Sequence, residues 1–291
     1  MNSSMHLKRK TERGKLKNST YRVFDLLKLG RKLLSETKNP YLESEIIIST
    51  HLGLSKEEFI LKINEELSYK DTNEIIWKFE ERKKGKPLSY VTGERIFLSR
   101  KFLVFDGVFI PRFETEEIMH HIVNKTERFE NCLDMCAGTG VMGISLMLEE
   151  VVKNCMFVDI NSIAIKNIKA NLDKFGISGR VVKSNMFEKV EGEFDLIISN
   201  PPYIPESMLD ELDDDVKREP LEALNGGKDG LKFIKILLTE SVKYLKKGGR
   251  LIFEYPEFTL EKIDNIETKL KFKEKIATLS KDIEGAVFIK L

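Results

Sequence analysis

The chain has 291 residues, 41% hydrophobic and 33% charged, which is apolar enough for one large or two ordinary domains and excludes disorder over most of its length. Its 48 Lys and Arg against 47 Asp and Glu leave a net charge of +1, so a uniformly basic nucleic-acid binder is disfavoured, local patches aside. No apolar run approaches a membrane span or a secretory signal, and Cys132, Cys136 and Cys155 have neither disulfide pairing nor metal-site spacing, so a cytoplasmic protein without a metal site is expected.

Residues 1–18 set Lys8, Arg9, Lys10, Arg13, Lys15 and Lys17 against Glu12 and read as a flexible basic tail. From 19 to 90 the apolar period is helical. Val23, Leu26 and Leu27, then Leu33 and Leu34, Ile46 and Ile47, and Ile75, Ile76 and Phe79 fall at three- and four-residue steps. Pro40 suits a helix start, and Ser55 with Glu58 spells a capping box. Nothing here carries chemistry, so a small helical bundle serving recognition is expected. Over 91–115, Phe97, Phe102, Val104 and Phe105 flank turn residues, and Asp106-Gly107 predicts a β-hairpin linker.

From 116 to 291 strand-like runs (132–136, 155–160, 180–183, 194–199, 250–255 and 286–291) alternate with amphipathic stretches at 141–150, 163–175 and 231–246. Such alternation predicts a doubly wound, mostly parallel α/β sheet of Rossmann-like type. Ligands of that architecture lie beyond the C-terminal ends of the strands.

The first of these strands runs into Gly138, Gly140 and Gly143 in GxGxxG spacing just before a helix, a turn that lets backbone approach a ligand. Asp159 ends the second strand, where a carboxylate can accept from both hydroxyls of a ribose, cap the next helix, or do both. Together they predict an adenosine-bearing cofactor, either a nicotinamide dinucleotide or S-adenosylmethionine.

The fourth strand ends in Asn200, Pro201, Pro202 and Tyr203. Each proline biases the residue before it to extended backbone, so the Asn200 side chain and the Pro201 carbonyl can face one spot. Both can accept from one planar NH₂ group and orient a poorly nucleophilic amide nitrogen toward a sulfonium methyl. Tyr203 is expected to wall the target. A dehydrogenase has no use for this element. In the following loop Glu206, Asp210, Glu211, Asp213, Asp214, Asp215 and Glu219 outweigh Lys217 and Arg218, which would repel phosphate backbones and attract a basic protein loop.

These motifs, in this order, resemble the bacterial protein-(glutamine-N5) methyltransferases that modify peptide chain release factors. The resemblance runs from about Tyr21 to the C-terminus. It is carried by residues 87–93 (PLSYVTG), 110–116 (IPRFETE), Asn200 to Tyr203, and 219–230 (EPLEALNGGKDG). It implies a helical domain that grips the release factor and a catalytic domain that methylates the glutamine of a Gly-Gly-Gln loop, with no membrane and no direct nucleic-acid partner. By position, Cys136, Ala137, Gly138, Thr139 and Gly140 would line the methionine end of S-adenosylmethionine. Asp159 would hold the ribose and Met186 the adenine, and Asn200 would border the cofactor as well. Asn200 and Pro201 would be catalytic, and Pro202 and Tyr203 would complete the glutamine slot. A sister activity on a ribosomal-protein glutamine and an N6-adenine DNA methyltransferase are the alternatives. The chain departs from the pattern at Phe113, Cys136, Ala137, Asn185 and Pro256; Cys136 replaces the first glycine of the loop, where a side chain is expected to crowd the cofactor.

Overall fold

In the computed structural model, which describes residues 21–125 and 127–291, the periodic apolar positions of the N-terminal segment wind into helices. The tail expected over 1–18 lies outside the described residues. The helices are α1 (Val23–Leu33), α2 (Pro40–Leu52), α3 (Lys56–Leu61), α4 (Tyr69–Lys83) and α5 (Leu88–Thr92). Leu26, Ile47, Ile48, Ile75 and Phe79 form their fully buried core. Pro40 is the first residue of α2, and the Ser55–Glu58 capping box closes in both directions. Gly30 lets α1 approach closely, since a Cβ there would stand 2.5 Å from the Phe79 ring. Gly30→Ala is therefore expected to destabilise this unit by about 1–3 kcal/mol through overpacking, read as a lower denaturant midpoint.

The chain divides into two units, Met1–Thr92 and Gly93–Leu291. The second contains almost all of the expected linker. Its elements are β1 (Glu94–Phe97), β2 (Arg100–Leu103), α6 (Phe113–Val123), β3 (Phe129–Met135), α7 (Val141–Leu148), β4 (Val152–Asp159), α8 (Ser162–Phe175), β5 (Arg180–Lys183), β6 (Phe194–Ser199), α9 (Lys232–Glu240), β7 (Leu245–Pro256), α10 (Leu260–Asp264), β8 (Leu270–Ile276) and β9 (Ile283–Lys290).

The hairpin is real but turns earlier than its sequence signal. β1 and β2 pair antiparallel around Leu98 and Ser99, at φ 46° and 61°, the left-handed pair of a tight hairpin turn. Glu116 stabilises that turn by accepting from the Leu98 N–H at 2.8 Å. Asp106-Gly107 forms a separate turn further on. Asn171 and Asn167 of α8 accept from the Leu103 and Phe105 N–H groups at 2.7 Å each, so side chains stand in for a third strand along this edge.

The main sheet has the order β5-β4-β3-β6-β7-β9-β8. Strands β3 to β7 run parallel, and β9 is antiparallel to both β7 and β8. Alternate residues feed opposite faces: Cys132 packs into one core, Leu133 and Met135 into the other. Two expectations are corrected. Strand β8 escapes sequence patterning because it is a lysine-rich edge with only its end residues, Leu270 and Ile276, buried. The helix expected over 231–246 stops at Glu240, because Leu245 already pairs with Phe194 and draws its neighbours into β7. Among the described residues no helix is long and apolar enough to cross a membrane. The connections run from β3 toward β5, then return to β6 on the other side of β3. A crevice opens at the C-terminal ends of β3 and β6, whose tips are tied by Ser199 Oγ donating to the Met135 carbonyl at 2.8 Å.

Candidate active site

The loop leaving β3 turns through left-handed backbone at Cys136, Gly138 and Gly140, with φ of 60°, 56° and 79°. Gly140 caps α7 in that conformation, which a Cβ would strain. Gly143 brings the helix onto the sheet, since a Cβ there would lie 2.6 Å from the Phe157 ring and 2.7 Å from Cys155 Sγ. Asp134, fully buried beneath this turn, accepts from the Gly143 N–H at 2.8 Å. Burial pushes its carboxyl up to about 8, which favours the neutral acid beneath the turn.

Above the crevice lies a cavity of about 620 Å³, within the range of small-ligand sites. Cys136, Ala137, Gly138, Thr139, Asp159, Met186, Asn200 and Pro202 line it. Gly140, Pro201 and Tyr203 are not among its lining residues. Gly140 supports α7 from behind, and Tyr203 faces a neighbouring groove of about 370 Å³ with Pro205 and Met208. Asp159, at the tip of β4, accepts from the Gly138 N–H and the Asn161 N–H at 2.8 Å each. One backbone bond per carboxylate oxygen leaves acceptor capacity on both. Cys136 Sγ rests 3.7 Å from Met186 Sδ, and burial holds its thiol far above the usual range. It is a neutral, apolar part of the wall.

The parallel register sets Ser199 opposite Phe253, so Asn200, the first residue past β6, follows alongside Glu254 of β7. The Asn200 amide nitrogen donates to Thr115 Oγ1 at 3.0 Å. Thr115 donates to Glu254 Oε2 at 2.6 Å, and the Tyr203 phenol donates to Glu254 Oε1 at 2.9 Å. The Tyr203 hydroxyl is thus anchored to a buried carboxylate. Thr115 and Glu254 were not among the sequence candidates. The available signal was a carboxylate inside an otherwise apolar strand, which burial makes expensive unless it is paired.

The acidic loop also needs correction. Glu219 does not belong to its solvated surface: it is 5% exposed, accepts from the Ile110 N–H at 2.9 Å, and pairs with the Arg112 guanidinium. This tie fixes the start of the segment 220–223, which forms one wall of the cavity. Among the described residues no group of His, Cys, Asp and Glu is arranged to hold a metal ion.

Family models match both units: "PrmC N-terminal domain" over residues 25–93 and "Methyltransferase small domain" over 113–215. A solved structure of a ribosomal protein L11 methylase from Lactobacillus delbrueckii subsp. bulgaricus aligns with a TM-score of 0.46 and 19% identity, covering 63% of this chain and 82% of that one. The release factor glutamine methyltransferase of Aquifex aeolicus is 33% identical over 240 residues, covering 80% of this chain and 85% of the relative. That of Clostridium acetobutylicum is 33% identical over 257 residues, covering 84% and 90%. The chain belongs to the release factor glutamine methyltransferase family.

The family's cofactor, S-adenosylmethionine, fits the residues present. The cavity has room for a nucleoside with a short tail, Asp159 offers unsatisfied carboxylate lone pairs where a ribose needs acceptors, and Phe109, Val158 and Met186 supply apolar wall for a base. At Gly138 the nearest atom to an added Cβ would be 4.0 Å away, so the loop is open on its cavity side. The wall at 220–223 depends on Glu219. Glu219→Ala is expected to lower stability by about 2 kcal/mol, because it strands the Ile110 N–H and removes a charged partner from Arg112. A shift of the urea midpoint at unchanged slope would measure it.

Proposed function

We propose that this member of the family transfers a methyl group from S-adenosylmethionine to the side-chain amide nitrogen of the glutamine in the Gly-Gly-Gln loop of peptide chain release factors, in the cytoplasm. The observation that carries the reading is Asn200 at the tip of β6, bordering the cavity with its amide nitrogen engaged by Thr115. The carbonyl end of that amide is left for a substrate NH₂.

When bound, S-adenosylmethionine supplies an electrophilic methyl carbon. Asp159 would hold its ribose, the loop from Cys136 to Gly140 its methionine end, and Met186 its adenine. Asn200 Oδ1 and the Pro201 carbonyl accept from the glutamine NH₂, orienting the nitrogen and favouring the positive charge that grows on it. Pro202 and Tyr203 shape the slot. No general base is needed before transfer, since the protonated amide product is strongly acidic and loses its proton to water.

Glu206, which lines the cavity, and the exposed acids Asp210, Glu211, Asp213 and Asp214 of the loop that follows would repel a phosphate backbone and favour a protein substrate over nucleic acid. The test is transfer of labelled methyl to a purified release factor and to the same factor with its Gly-Gly-Gln glutamine changed to alanine. Label that requires the glutamine is the expected result. Label on neither protein, with S-adenosylmethionine binding intact by calorimetry, would reject the substrate.

A further inference from the structure

We infer that Thr115 and Glu254 are positioning residues that hold the Asn200 amide in the one orientation able to accept hydrogen bonds from the glutamine nitrogen; the inference rests on the function proposed above.

The two ends of an asparagine amide have nearly the same shape, but one donates and the other accepts. The proline-stiffened backbone places the Asn200 side chain without choosing between them. A flipped Asn200 would set NH₂ against NH₂ and repel the substrate. The Thr115 hydroxyl makes the choice. It has one hydrogen, which goes to Glu254 Oε2 at 2.6 Å, while the Tyr203 phenol donates to Oε1 at 2.9 Å. With its hydrogen committed, Thr115 Oγ1 can only accept, and Asn200 must present Nδ2 to it, as it does at 3.0 Å. Thr115 is 2% and Glu254 1% exposed, so water does not compete for these bonds.

The polarity of the chain depends on an ionised Glu254. A protonated Glu254 can donate to Thr115, which then donates to Asn200 Oδ1 and turns the amide the wrong way. The ionisable groups that bear on Glu254 are Tyr203, Glu114 and Arg112, and burial pushes its carboxyl up to about 7. Orientation is therefore kept above that pH and lost as pH falls through it.

The experiment compares kcat for methyl transfer to a release factor in the wild type, Thr115→Val, Thr115→Ser and Glu254→Gln, with S-adenosylmethionine affinity measured separately by calorimetry. Thr115→Val is expected to lower kcat about 10²-fold with cofactor affinity unchanged, and Thr115→Ser, which keeps the hydroxyl, to restore most of it. A Thr115→Val enzyme that turns over like the wild type, or a serine variant as impaired as the valine one, overturns the inference. Where Thr115→Val fails to fold, the pH profile decides: the wild type should lose kcat below about pH 7 and Glu254→Gln should lack that limb. The same limb in both overturns the inference. A wild type that labels no release factor overturns the proposed function and this inference with it, whereas an active wild type with an unaffected Thr115→Val overturns this inference alone.

Discussion

Asn200→Ala is expected to lower methyl transfer by about 10²–10³-fold, mainly in kcat, the loss seen when a preorganised dipole is removed from developing charge. The side chain contributes an acceptor at a site whose geometry is set by the strand beneath it and by the prolines after it. Alanine leaves both in place, so the fold survives and the lost rate reports on the amide. Single-turnover labelling at saturating S-adenosylmethionine would measure it. Asn200→Asp keeps an oxygen at the slot but sets a second carboxylate against Thr115, whose hydrogen already goes to Glu254. Rescue by aspartate should therefore be partial. An alanine variant with wild-type turnover would remove Asn200 from the chemistry.

Asp159→Ala is expected to weaken S-adenosylmethionine binding about 10²-fold, the equivalent of losing charge-assisted hydrogen bonds to a ligand. Two effects combine. The carboxylate accepts from Gly138 and Asn161, so its loss releases the glycine loop from the start of α8. It also removes the acceptor proposed for the ribose hydroxyls. Asp159→Asn removes only part of each, because its remaining oxygen can still accept from one backbone N–H and one ribose hydroxyl while its NH₂ accepts from neither; about a tenfold loss is expected. Calorimetric titration of each variant gives the values directly, and unchanged affinity in the alanine variant would move the ribose elsewhere in the cavity.

Much of the site was legible because its chemistry lies in contiguous segments. A loop with three glycines in fixed spacing needs left-handed turns and close backbone approach, and Gly138, Gly140 and Gly143 supply them. An acid at the tip of the second crossover strand falls beside that loop in any doubly wound sheet, as Asp159 does. What was missed lay in pairings between distant segments. The hairpin turn falls at Leu98 and Ser99, non-glycine residues held at positive φ, and Glu116 and the two asparagines of α8 hold the ladder around it. Charge read along the chain groups Glu219 with its acidic neighbours, since it does not show that Arg112, 107 residues earlier, turns it inward.

The sequence by itself determined the parallel α/β sheet, the adenosine-type loop, the stiff Asn200–Tyr203 corner and the family resemblance, since periodicity, glycine freedom and proline geometry are local properties. The tertiary structure alone decided which end of the Asn200 amide meets Thr115, that Glu254 lies beneath Tyr203, and that Glu219 closes a wall of the cavity. Each of these depends on hydrogen bonds between segments 51 to 139 residues apart, and the Asn200 and Glu254 contacts also on the register of β6 with β7. Burial removes water as a partner, so such groups must find one another, and only the folded chain brings them within reach.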